Sequence, residues 1–175
     1  MGWLDWMKGA PAEDAGGGSG AVRRIAAELA AMPETQARYL AAVAYLLGRV
    51  AHADERISEA ETARMEALVL EAGAVSPSQV TLVVEIAKAQ NRLFGHVENF
   101  LVTRELRELA TGDQRRRLLD CLFSVAAAED GISSQEEAQV RQIASELGFS
   151  HGEYVEARAA WSEHRSVIRG LKEKS

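Results

Sequence analysis

The sequence predicts an all-α fold, a single bundle of six to eight helices. Apolar residues recur three or four positions apart along the long segments, which is the period of one helix face. Val, Ile, Thr and aromatic residues do not alternate with polar residues over the length of a strand. The three prolines, together with Gly73 and Gly148, fall at segment edges or in loops, where helices end or begin. The 175 residues suffice for one well-buried domain.

Two helices are predicted in the N-terminal part of this domain. Pro33 separates a helix near 21–31 from one near 35–52, because proline inside a helix removes a hydrogen bond and clashes with the preceding turn. The second helix carries a long apolar stripe, formed by Tyr39, Leu40, Val43, Leu46, Leu47 and Val50. Such a stripe predicts a helix that packs on the core.

The middle of the chain supplies connecting helices. Ser76 followed by Pro77 has the pattern of an N-cap with proline at the first helical position. We therefore expect a helix at 77–90. Gly95 indicates a break, after which a further helix is expected at 97–110.

The C-terminal half returns to the same helical period. Two apolar stripes run through it, formed by Leu118, Leu119, Leu122, Val125 and Ala126 and by Val140, Ile143, Ala144 and Leu147. Ser150 and Glu153 have the spacing of a capping box, which opens a last helix predicted at 151–171. Tyr154 and Trp161, with Ile168, would give that helix an apolar seam for core packing or self-association.

The N-terminus divides into two parts before the helical domain, which we place at 21–175. Residues 1–14 form a short amphipathic segment, and residues 15–20 have the composition of a flexible Gly/Ser linker. The apolar face of the short segment is formed by Trp3, Leu4, Trp6 and Met7. Three positions for this face stay open: on the protein's own domain, in a groove of a partner, or at a membrane interface.

Charge and cysteine content limit the classes of function. A net charge of −6 and a pI near 5.3 argue against binding to nucleic acid, which requires an excess of Lys and Arg. The triplet Arg115–Arg117 is interpreted as a solvated helix face. Cys121 is the only cysteine, so no internal disulfide forms, and its helical setting predicts a buried, inert thiol. No segment has the length of a membrane span or a secretory signal, which makes the cytoplasm the expected location.

No catalytic motif is found in the sequence. The four histidines are scattered, and none belongs to an HExxH arrangement. The GGGSG segment lacks the lysine and the strand context of a phosphate-binding loop, and no serine stands in a Gly-x-Ser-x-Gly setting. We therefore expect a protein that is not an enzyme.

The chain contains an internal repeat at an offset of 75 residues. Residues 50–73 align without a gap on residues 125–148, and nine of the 24 pairs are identical, where chance would give about two. The identical pairs include Ile57 with Ile132, Ser58 with Ser133, Glu61 with Glu136, and Gly73 with Gly148. We predict two pseudo-symmetric repeats, each a helix, an acidic turn and a helix, at about 36–73 and about 113–148, linked by helices within 76–110.

The acidic turn of the second repeat, AAAEDGISSQEE, does not fit an ordinary EF-hand. With Gly131 at loop position 6, Glu137 falls at position 12, as the calcium loop requires. Positions 1 and 3 would then be Ala126 and Ala128, which offer no side-chain oxygen, and the first repeat has Arg56 at the glycine position.

Helix capping explains part of the turn, and cation binding is the second interpretation. Ser58 with Glu61, and Ser133 with Glu136, have capping-box spacing. Capping leaves four acidic residues without a structural role, namely Asp54, Glu55, Glu129 and Asp130. If the two turns meet across the pseudo-twofold axis, their carboxylates would suit a hard divalent cation such as Ca²⁺, Mg²⁺ or Mn²⁺.

The doubled turn resembles the TerB family of tellurite-resistance and stress-response proteins. The resemblance lies in RVAHADERISEAE (49–61) and SVAAAEDGISSQEE (124–137). It continues in RQIASELGFSHGEY (141–154), and the opening WLDWMKGA (3–10) is also similar to such proteins. It covers roughly residues 36–155, and the same domain is related to the N-terminal region of membrane-anchored DnaJ-type co-chaperones.

The resemblance implies an all-α, non-enzymatic adaptor in stress responses, acting through protein partners in the cytoplasm or at the inner face of a membrane. It also implies an acidic surface with cation ligands at Asp54, Glu61, Asp130 and Glu136, with Glu55 and Glu129 as neighbours. A divalent-cation sensor or buffer that uses the two acidic turns is the alternative function, and a co-chaperone-type interaction domain is a weaker one. The sequence does not determine the oligomeric state.

Overall fold

The computed structural model of the chain confirms the all-α prediction. It describes residues 18–51, 57, 59–72, 75–89, 99–128 and 131–164. Apart from one β-bridge residue, Ile132, these ranges form helices and turns. The α-helices are α1 (Gly18–Ala30), α2 (Glu34–Ala51), α3 (Glu59–Ala72), α4 (Val80–Lys88), α5 (Asn99–Leu109), α6 (Gly112–Ala126), α7 (Ser134–Glu146) and α8 (His151–Ala159). Short 3-10 turns lie at Pro77–Gln79 and Ser162–His164.

Helix α2 is the centre of the bundle. Every residue from 40 to 51 is buried, and α1, α4, α5, α6 and α7 all pack against it. Alanine or glycine occupies five of these positions, and small side chains let neighbouring helix axes approach closely. The predicted stripe is therefore buried as expected from Leu40 onwards, while Tyr39 is half-buried. The burial extends around the whole circumference of the helix, which a single apolar stripe in the sequence does not predict.

The ends of the domain differ from the sequence prediction. Helix α1 begins at Gly18, inside the segment predicted as a linker. The last helix, predicted at 151–171, ends at Ala159. A tightened turn follows, in which the Trp161 amide donates to the carbonyl of Arg158 at 3.0 Å. The turn places the Trp161 ring against the core, where it is partly buried. Contrary to the prediction, Trp161 therefore does not continue the apolar seam of a longer helix. Residues 165–175 lie outside the described part of the chain.

Gly148 follows α7 at the helix end that the sequence predicts, and its backbone is in the left-handed conformation. Its φ is 86°, and the amide of Phe149 donates to the carbonyl of Ala144 while the Gly148 amide donates to that of Ser145, both at 3.0 Å. These two bonds are the Schellman arrangement that satisfies the last carbonyls of a helix. A Cβ on Gly148 would lie 3.0 Å from the Cζ and Nε atoms of Arg107. Gly73, the equivalent residue of the first repeat, lies outside the described ranges.

Replacing Gly148 with alanine is expected to lower the free energy of unfolding by about 1–3 kcal/mol, because an L side chain is strained at this φ and meets a guanidinium group. Gly112→Ala is the matched control, since a Cβ there meets nothing within 4 Å and its φ is not positive. Urea denaturation of both variants gives the comparison. Equal midpoints for Gly148→Ala and the wild type would contradict this account of the helix end.

The helices of the two predicted repeats pack across each other. Helix α2 contacts both α6 and α7, and α6 also contacts α3. Two hairpins on one core would bring these pairs together. The pseudo-twofold symmetry itself stays a prediction, because residues 52–56 and 58 of the first turn are outside the described part.

Candidate functional site

The acidic turn of the second repeat is a helix cap in the structure. The hydroxyl of Ser133 accepts from the Glu136 amide at 3.2 Å, and the Glu136 carboxylate accepts from the Ser133 amide at 2.8 Å. Gly131 has a φ of 102°, and Ile132 is buried in the core with 1% exposure. The predicted capping box is thus confirmed here. The same arrangement holds at Ser150 and Glu153.

The predicted cation ligands are only partly within the described residues. Asp54, Glu55, Glu129 and Asp130 lie outside them, and Glu61 is described as part of α3 without its side chain. Glu136 is therefore the one predicted ligand with a described carboxylate, and one of its oxygens already accepts the Ser133 amide. In the ranges that the structure describes, no group of three or more His, Cys, Asp or Glu residues is placed to hold a metal ion. The ligand set stays a prediction.

The predicted contact residues Trp3, Leu4, Trp6 and Met7 also lie outside the described residues. Ser58 does so too, and the predicted box of Ser58 with Glu61 therefore stays a prediction. Within the described helices, none is both long and apolar enough to cross a membrane. Ile57 of the first turn is described, and it packs partly buried against the core.

A buried ion pair between the two repeats was not foreseen from the sequence. The side chain of Arg49, on α2, is 4% exposed and donates to the Glu146 carboxylate of α7 at 2.9 Å. Its other terminal nitrogen lies 3.4 Å from the amide oxygen of Gln139. Its Nε atom is buried and has no hydrogen-bond partner among the described residues. The pair therefore joins α2 to α7 through two residues that are 97 positions apart in the sequence.

The arginine triplet only partly fits the predicted solvated face. Arg116 and Arg117 are exposed, whereas Arg115 is half-buried and donates to the carbonyl of Leu147 at 2.8 Å. A cation at a helix C-terminus opposes the negative end of the helix dipole. Arg115 thus caps α7, and the prediction was wrong for this residue because its partner comes from a distant helix.

Cys121 is a core residue, as predicted. Its thiol is fully buried, and burial, with a smaller contribution from the Asp120 carboxylate, raises its pKa to about 12. A nucleophilic cysteine needs a thiolate near neutral pH. Cys121 therefore does not fit that role.

The fold defines the class of this chain as a single all-α domain built on one central buried helix. A family model described as "Tellurite resistance protein TerB" matches residues 40–159, more than half of the chain. The chain belongs to the TerB family. The match runs from within α2 to the last residue of α8.

The match bears on the TerB family alone, and the relation to DnaJ-type co-chaperones stays a prediction. Neither a curated protein nor a solved structure was found to match the chain.

Proposed function

We propose that this protein is a non-enzymatic stress-response adaptor of the tellurite-resistance type, which acts through protein partners. The observation that carries the proposal is the TerB family match, which spans the helices from α2 to α8. The interior supports a scaffold role, because α2 is held by five surrounding helices. The one cysteine is an inert core thiol, which is consistent with a role other than thiol catalysis.

The acidic surface would be the contact face of this adaptor. The chain carries 26 acidic against 20 basic residues, and complementary charge accelerates and selects partner binding. The amphipathic segment at 1–14 would provide a second contact, on a partner or at the inner face of a membrane. In this proposal the protein works in the cytoplasm or peripherally at that membrane.

Deletion of the gene in the source organism tests the proposal. The deletion strain is expected to grow less than its parent on tellurite or under peroxide, and a plasmid copy should restore growth. Proximity labelling from a fusion of the full chain should enrich a reproducible set of proteins under stress, compared with a fusion of an unrelated helical protein of equal size. Unchanged growth under each stress, or the same labelled set for both fusions, would contradict the adaptor role.

The alternative function, a divalent-cation sensor or buffer, predicts a cation-dependent melting temperature. A cation that binds the native state selectively stabilises it by RT ln(1 + [L]/Kd), about 2.7 kcal/mol at a hundredfold excess over Kd. Thermal unfolding with millimolar Ca²⁺, Mg²⁺ or Mn²⁺ should then occur several degrees higher than in EDTA. The variant Asp54→Asn/Asp130→Asn should lose this rise, since two of the four proposed ligands lose their charge.

The control for this titration is Glu108→Gln, which removes an exposed acid of α5 far along the sequence from both turns. It should keep the wild-type response. The sensor function would be refuted if the melting temperature were the same with the cation and with EDTA, or if the rise persisted in the double variant. Neither result would affect the capping role of Glu136.

A further inference from the structure

The junction of α7 and α8 contains a cavity of about 200 Å³. It is lined by Arg141, Ser145, Phe149, Ser150, His151 and Tyr154. We propose that this cavity binds a small organic carboxylate, with the carboxylate at Arg141 and an apolar body against Phe149. The inference goes beyond the adaptor role and does not depend on it.

The charge of the lining favours an anion. Arg141 gives the lining a positive charge, and no acidic residue belongs to it. The Arg141 guanidinium forms no ion pair or hydrogen bond with any described residue, and neither does the hydroxyl of Ser145. A guanidinium group binds a carboxylate through two parallel hydrogen bonds, so Arg141 is suited to this headgroup.

Two acidic residues within a helical turn of lining residues, Glu137 and Glu153, are already engaged. Glu153 accepts from the Ser150 amide at 2.8 Å and from its hydroxyl at 2.9 Å. These hydrogen bonds, with smaller contributions from Arg116 and Arg115, lower the pKa of Glu153. Glu137 pairs with Arg158 at 3.2 Å. These carboxylates are therefore held by other donors and do not compete for Arg141.

The aromatic wall favours a ligand with a flat apolar part. Tyr154 is 3% exposed, and its ring stacks on Phe123 with centroids 6.0 Å apart. On another side the Arg158 guanidinium lies 5.7 Å from the Tyr154 ring centroid. These contacts cover most of the Tyr154 ring, so the accessible aromatic surface of the cavity is mainly that of the half-buried Phe149, with Tyr154 as its fixed support.

The size of the cavity limits the ligand. At about 30 Å³ per water molecule, the space corresponds to roughly seven waters, and drug-sized ligands occupy about 300–1,000 Å³. The cavity itself holds only a compact group, and a bare inorganic ion would leave the aromatic side chain of Phe149 uncovered. A carboxylate attached to one phenyl-sized group matches both the volume and the lining.

Titration of the full chain with phenylacetate, followed by the backbone amide resonances in two-dimensional NMR at constant ionic strength, tests this site. We expect saturable shifts confined to amides of 141–154, with a Kd of about 1–10 mM for a ligand of this size. The variant Arg141→Gln should weaken binding by about fivefold or more, since it loses the charged partner. Arg64→Gln, which removes an exposed arginine of α3, is the matched control and should bind as the wild type does.

Two further probes separate the headgroup from the apolar body. Phenylacetamide keeps the ring without the charge, and inorganic phosphate keeps a charge without the ring; each should bind at least about fivefold more weakly than phenylacetate. Shifts that do not saturate, equal affinity in Arg141→Gln, or equal affinity for either probe would overturn the proposal. Arg141 is exposed on α7, so its replacement leaves the fold intact, and far-ultraviolet circular dichroism verifies this.

Discussion

Replacing Glu146 with leucine is expected to lower the free energy of unfolding by about 3–5 kcal/mol, because it leaves the Arg49 guanidinium buried without its counter-charge. Arg49 is 4% exposed, and Glu146 is its ion-pair partner at 2.9 Å. The remaining neighbour, the Gln139 amide oxygen at 3.4 Å, is neutral and cannot replace a carboxylate. A guanidinium also stays charged at every ordinary pH, so it cannot lose a proton to relieve the strain.

The double variant Arg49→Met/Glu146→Leu separates the loss of one partner from the value of the pair. Apolar side chains of similar volume often replace a buried ion pair at little or no cost. We therefore expect the double variant to be more stable than Glu146→Leu alone, which a cycle of urea denaturation curves would show as a coupling energy. The exposed pair of Arg116 and Asp113, 66% and 83% exposed, supplies the control: Arg116→Met should change stability by less than about 1 kcal/mol.

An unchanged stability of Glu146→Leu would contradict the buried position of the Arg49 guanidinium. If Glu146→Leu unfolds at the same urea concentration as the wild type, then the Arg49 guanidinium reaches water in solution. Its burial between the two repeats would then not hold α2 against α7.

Local sequence signals predicted the parts of this fold that depend on neighbouring residues. The Ser133–Glu136 spacing gave the capping box, and Gly148 after an apolar stripe gave the left-handed helix end. Pro33 separated α1 from α2 as expected. Each of these features is decided by hydrogen bonds within a few positions of the chain.

The features that the sequence did not predict depend on distant partners. Nothing near Arg49 indicates that its guanidinium turns inward, because Glu146 is 97 positions away. Arg115 likewise caps a helix that ends 32 positions later. The early end of α8 follows the packing of Trp161 on the core rather than a glycine or proline signal. The same distinction applies to the candidate cation site. The helix cap formed by Ser133 and Glu136 was predictable from their spacing. A cation site would also require the acidic turns of the two repeats to meet, which depends on packing between distant parts of the chain.

Replacing Phe123 with alanine is expected to cost about 3–5 kcal/mol of unfolding free energy, since it leaves a large cavity in a core that relaxes only in part. Phe123 is fully buried on α6, and its ring stacks on Tyr154 of α8. Tyr154 is the one residue of α8 that is fully buried. The loss should therefore fall most heavily on the attachment of α8 to the bundle.

Native-state hydrogen exchange would detect this local effect, because amides exchange through whichever opening needs the least free energy. In Phe123→Ala, the amides of α8 should exchange faster relative to those of α2 than they do in the wild type. Phe100→Ala removes the same ring from a position that is 57% exposed, and it should change stability by less than about 1 kcal/mol. Equal destabilisation by the two replacements would mean that Phe123 does not anchor α8. If exchange instead rises equally in α2 and α8, then α8 opens only when the whole domain unfolds. The stacked pair of Phe123 and Tyr154 would then stabilise the whole domain rather than the attachment of α8 alone.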